Sequence, residues 1–225
     1  MGHLFVTPEW FYMYSVILEV FFAIITLMVS YYAYKIYKLT EERQSKLFSL
    51  AFLFIAVSYI IQSSLNFIIL NKMDSDLSMI INLKAVYLLN LFGTYAHALL
   101  FIIGLIILTY ITLKVKNAKV LTLLLSIVIL SVIFSANKIF LFYVISSVLL
   151  LHTVIYYFTN YINNKKVNTL IVLVAMIFLL FSTLHFMFAI QYEIYYVIGH
   201  VLEAIAYLLI LSNLILIWKH GEKKR

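Results

Sequence analysis

Tyr195-Tyr196-Val197-Ile198-Gly199-His200-Val201-Leu202-Glu203-Ala204-Ile205-Ala206-Tyr207-Leu208-Leu209 is an apolar run that carries an ionisable pair. At helical spacing Tyr196, His200, Glu203 and Tyr207 fall at i, i+4, i+7 and i+11, which is one face, and the remainder is largely aliphatic. A charged side chain at the centre of a bilayer-spanning helix costs about 2.5–3.5 kcal/mol on insertion scales. The stripe is therefore expected to face the interior of a helix bundle.

The rest of the chain agrees. Of its 225 residues 65% are hydrophobic and only 11% are charged, and the mean hydropathy is +1.08. A soluble domain of this size must meet water over its whole exterior and does not use so much apolar surface. One proline and five glycines leave little room for irregular loops, so an all-α membrane protein is expected rather than a barrel. The lack of cysteine excludes a disulfide framework, a Cys-ligated metal and a thiol nucleophile. The N-terminus has neither a basic region nor a small-residue cleavage site, so no removed signal peptide is expected.

Hydropathy predicts seven membrane helices in a single domain over residues 1–225, at about 10–37, 47–70, 83–113, 120–136, 139–161, 167–189 and 193–218. Their connections carry the charge unevenly. Lys35, Lys38, Arg43, Lys46, Lys114, Lys116, Lys119, Lys165, Lys166, Lys219, Lys223, Lys224 and Arg225 fall on one side, and only Lys72, Lys84 and Lys138 on the other. The positive-inside bias then predicts an outer N-terminus and a cytoplasmic C-terminus in a multi-pass plasma-membrane protein of a prokaryote. This asymmetry accounts for the net charge of +7, so no nucleic-acid partner is expected. Trp10 and Trp218, at opposite ends, read as interfacial anchors.

Five segments carry polar stripes, all in the outer half or near the midplane of that topology. They are Tyr12, Ser15 and Glu19; Tyr59, Gln62 and Asn66 with Ser63 beside them; Asn90, Thr94 and His97; Ser182 and His185; and Tyr196, His200, Glu203 and Tyr207. Their shared depth predicts an outward-facing pocket, with Glu19, Gln62, Asn66, His97, His200, Glu203 and Tyr207 as its ligand-binding residues. A plainer account stands beside this one. Membrane helices also use Asn, Gln, Ser and His as interhelical partners, each worth about 0.6–2 kcal/mol, and the lone His152 reads as core packing. Glu19 and Glu203 fit that account least, because a buried carboxyl needs a partner, a proton or a function.

The chemistry stays open at this level. A metal site is conceivable from His97, His185, His200 and Glu203, and a haem from His97 with His152 or His185 with His200. No retinal is expected, because the last helix has no lysine before Lys219. Glu41-Glu42-Arg43 and Phe181-Ser182-Thr183-Leu184-His185 are similar to fragments of the CAAX-protease pattern. The acidic pair lies at the end opposite His185, so no catalytic residue is assigned. No proline breaks a helix and no internal repeat is visible, which argues against transport.

The stretch Gly199-His200-Val201-Leu202-Glu203-Ala204-Ile205-Ala206-Tyr207-Leu208 resembles the closing helix of the MASE-type membrane sensor domains of prokaryotic signalling proteins. There a histidine is followed one turn later by a charged residue and then by an aromatic. The resemblance implies a seven-helix sensor of a small ligand, metal or redox state, read on its cytoplasmic face by a partner protein. A metal- or haem-binding electron-transfer subunit, and a structural subunit of a larger membrane complex, are the alternative expectations.

Overall fold

The structure is a computed structural model that describes residues 8–73, 79–115, 117–135, 137–189 and 191–222. A 3₁₀ turn, Glu9–Phe11, leads into seven α-helices: α1 Tyr12–Thr40, α2 Arg43–Met73, α3 Met79–Thr112, α4 Ala118–Phe134, α5 Lys138–Asn164, α6 Val167–Phe188 and α7 Ile194–Glu222. All but α4 are long and apolar enough to cross a membrane; α4 has 17 residues. The expected helix over 120–136 thus begins two residues earlier and stops at Phe134. Asp74, Asp76, Lys116 and the tail from Lys223 lie outside the described residues, as do the side chains of Lys72, Lys84 and Asn90.

Local chemistry sets several helix ends. The side chains of Asn117 and Asn137 accept from the backbone N–H of Lys119 at 3.0 Å and of Phe140 at 3.1 Å, capping α4 and α5. At the far ends of α1 and α5, Glu41 (φ 56°) and Lys165 (φ 47°) turn left-handed. Their N–H groups bond back to the Tyr37 and Tyr161 carbonyls at 2.7 Å. Neither position is glycine, so each turn carries some steric strain.

The six long helices close a ring in the order α1, α2, α3, α5, α6, α7, each packed on two neighbours. The short α4 lies outside the ring, beside α3 and α5, with Val132 as its buried residue. Inside the ring Phe22, Phe52, Ile55, Ile102, Ile106, Met176, Tyr207 and Ile210 are fully buried. Outside it Ile17, Ile24, Leu53, Leu151, Ile155, Val201 and Leu208 are exposed, the surface that a bilayer's hydrocarbon covers. The basic end carries ammonium groups above aromatic rings, with Lys35 4.4 Å from Trp218 and Lys114 5.6 Å from Tyr156.

Two contacts hold α2 in place. Ser30 on α1 and Ser49 on α2 each donate to the other's backbone carbonyl, at 2.9 and 2.8 Å. On the other side Gly104 of α3 meets α2 so closely that a Cβ there would stand 2.6 Å from the Ile55 side chain and 2.8 Å from the Ala51 carbonyl oxygen.

Candidate functional site

Away from the basic end, a partly open cavity of about 110 Å³ lies among the helices. Glu19 of α1, Tyr59 and Gln62 of α2, His97 of α3, Phe142 and Tyr143 of α5, Phe186 of α6, and Tyr196, His200 and Glu203 of α7 all line it. Val132 of α4 lines it as well, so all seven helices contribute to one small space. Lys138 and Ile139, at the start of α5, and Tyr95 line it too. The Lys138 ammonium sits 5.3 Å from the centre of the Tyr95 ring.

Glu203 is the best-held group. Its Oε1 accepts from the Tyr59 hydroxyl and from the Tyr207 hydroxyl, the latter at 3.2 Å. The two hydroxyl oxygens stand 3.1 Å apart. Two hydroxyl hydrogens serve three oxygen–oxygen contacts, so one edge of this triangle lacks a hydrogen bond unless the carboxyl carries a proton. The other oxygen, Oε2, lies 3.9 Å from His200 Nδ1, beyond hydrogen-bonding distance. His200 and Glu203 are thus adjacent along α7 but not bonded to each other.

Glu19 is held differently. The Asn66 side-chain amide donates to both of its oxygens at 2.9 Å, and the Tyr12 hydroxyl donates to the Asn66 backbone carbonyl at 3.4 Å. Asn66 therefore stands behind Glu19, outside the cavity lining, as Tyr207 stands behind Glu203.

The histidines are caged by rings and lack partners. His200 is 5% exposed. Its ring centre lies 4.5 Å from Tyr196, 5.0 Å from Phe186, and 5.8 Å from both Phe11 and Phe22. Phe186 approaches this closely because Gly199 has no side chain; a Cβ there would stand 2.7 Å from the ring. Neither His200 nitrogen has a hydrogen-bond partner, nor do His97 Nδ1 and Gln62 Oε1. The His97 ring packs against Tyr59 and Phe101.

Glu19, Gln62, His97, His200 and Glu203 thus share one cavity, with Asn66 and Tyr207 as supports. The proposed metal set does not come together. His185 points along its own helix, its Nδ1–H donating to the Phe181 carbonyl at 2.7 Å while its ring meets Tyr195. Among the described residues no three His, Asp or Glu side chains converge so as to hold a metal ion. The haem pairs fail on the same grounds. His185 is not in the lining that holds His200, and His152 is exposed on α5 rather than packed in the core.

The aromatic walls and the role of Tyr59 were not singled out from the sequence. Tyr59 was visible on the α2 stripe, but one tyrosine among 18 carries little signal. The inner face of α5, with Phe142, Ser146, Leu150 and Thr153 buried at helical spacing, was the trace of a sixth contributor. At the basic end a second cavity of about 270 Å³ lies among Glu42, Gln44, Tyr157 and Asn213. By position along their helices, buried Phe52 and Ile210 separate the two.

No protein-family model, no curated protein and no solved structure matches the chain.

Proposed function

We propose that this is a seven-span plasma-membrane sensor that binds a small polar ligand in a pocket facing the outside. The observation that carries the reading is the set of buried polar atoms left without partners around the cavity, namely both His200 nitrogens, His97 Nδ1 and Gln62 Oε1. A buried donor or acceptor without a partner costs about 1–3 kcal/mol. Folding alone does not favour four such atoms in one place; a ligand that supplies partners does.

The topology has its own support. The lysine and arginine asymmetry puts the basic end in the cytoplasm, and the ammonium–aromatic contacts of Lys35 and Lys114 suit an interfacial belt. Helix α4 starts near the basic end, just after Lys114, and ends just before Lys138 at the cavity end. Its 17 residues rise about 26 Å, close to the ~30 Å hydrocarbon thickness. That length supports a seventh crossing. The resemblance of Gly199–Leu208 to MASE-type sensor helices suits a signalling role, with α7 linking His200 and Glu203 to Trp218 at the cytoplasmic face, where a partner protein would read it.

The natural lack of cysteine makes the test simple. Ile139→Cys, at the cavity, is expected to react with a membrane-impermeant thiol reagent added to intact cells. Gln44→Cys, at the basic end, should react only after the cells are opened. Ala98→Cys, which lines the cavity, should react with small methyl methanethiosulfonate, while Ala206→Cys, fully buried in the ring, stays inert. The reverse sidedness, or an inert Ala98→Cys, contradicts the outward-facing pocket.

A further inference from the structure

We infer that the ligand class of this pocket is a small organic cation bearing N–H donors, of the size of methylammonium. The inference rests on the pocket reading above and adds the chemistry of the occupant. It starts from the acceptor atoms that the cavity leaves without partners. Glu203 Oε2 stands 3.9 Å from His200 Nδ1, beyond hydrogen-bonding distance. Gln62 Oε1 has no partner. His97 Nδ1 has no partner either. His200 in its neutral form offers one acceptor and one donor, both unpartnered. Tyr59 donates to Glu203, and Thr183 donates to the Leu180 carbonyl at 2.8 Å.

Charge points the same way. Two glutamates from different helices meet the same cavity, and among the described residues neither forms an ion pair with Lys or Arg. Against these two carboxyls the lining offers one ammonium, that of Lys138, which is held over Tyr95. A cation that donates hydrogen bonds satisfies the acceptors and balances the carboxylates in one step. Tyr59, Phe142, Tyr143, Phe186 and Tyr196 complete the fit, because aromatic faces attract cations. Size limits the choice: about 110 Å³ holds a few water-sized groups of about 30 Å³ each.

The test uses the full chain in lipid nanodiscs, with methylammonium chloride as the probe and tetramethylammonium chloride, potassium chloride and acetamide as controls. The readout is the rate at which Ala98→Cys and, separately, Val132→Cys react with methyl methanethiosulfonate. Titration to about 50 mM covers fifty times a millimolar Kd. Methylammonium is expected to slow labelling about fivefold or more, following 1 + [L]/Kd, and to raise the Tm of the cysteine-free chain. The controls should leave both unchanged. Equal protection by tetramethylammonium overturns the N–H requirement, by acetamide the charge, and by potassium the organic class. Labelling that no probe slows leaves the pocket standing and overturns the ligand class. Cysteines that never label, with no probe raising the Tm, overturn the pocket and this inference together.

Discussion

Glu203→Gln is expected to leave the bundle folded and to weaken methylammonium binding about tenfold or more, the loss when a charge-assisted hydrogen bond of roughly 1.5–3 kcal/mol becomes a neutral one. The amide oxygen can still accept from Tyr59 and Tyr207, which now bond to the carboxyl Oε1. What disappears is the negative charge on the side facing His200, where Oε2 stands 3.9 Å from Nδ1. Glu203→Leu goes further. It leaves the two hydroxyls, 3.1 Å apart, with only each other. One hydroxyl hydrogen then has no acceptor, a cost of about 1–3 kcal/mol on top of the lost binding. Probe-protection titration and Tm in nanodiscs separate the two effects. A Glu203→Gln protein that binds as the wild type does and only melts earlier would make the carboxyl a structural acceptor.

Gly104→Leu is expected to have the largest effect on the fold. A Cβ at this position would stand 2.8 Å from the Ala51 carbonyl oxygen. A backbone atom inside a helix cannot rotate away, so α2 and α3 must separate. Overpacking of this kind costs about 3 kcal/mol, equivalent to roughly 6–12 °C in Tm for a chain of this size. The site suffers with the fold, since α2 carries Tyr59, Gln62 and Asn66 while α3 carries His97. Gly93→Ala is the milder control, because its Cβ would meet the tip of the Leu65 side chain at 2.7 Å and that tip can move. Thermal unfolding in nanodiscs measures both; a Gly104→Leu protein that melts with the wild type would contradict the α2–α3 packing.

The helices were legible in the sequence because their signal is local. Apolar runs of spanning length and clusters of charge between them locate α1 to α7 to within a few residues. The ends were less legible. Lys165 stops α5 by turning left-handed at φ 47°, a choice usually signalled by glycine or asparagine. Helix order around the ring was not readable at all. It depends on which faces meet, and α4, as apolar as the others, lies outside.

The polar stripes were readable along each helix, but the direction each side chain faces was not. His185 and His200 sit in similarly apolar helices near the same end. The first hydrogen-bonds its own helix backbone at Phe181, while the second is caged by four aromatic rings. His152 shows the same limit, reading as core and lying exposed. Glu19 and Glu203 were the safest inferences, since a carboxyl facing lipid is costly.

The central claim, that the cavity's polar groups serve a ligand rather than the fold, is tested most directly by the sign of a stability change. Tm in nanodiscs would be measured for His200→Phe, Gln62→Met and Asn66→Leu. The first two remove buried polar atoms that have no partner, so each should hold or raise the Tm, a gain of up to about 1–3 kcal/mol, while pocket binding falls. Asn66→Leu takes away both hydrogen bonds that Glu19 accepts, and the Tm should drop. If His200→Phe and Gln62→Met lower the Tm as much as Asn66→Leu does, the polar stripes hold the helices together and the cavity is not a ligand site.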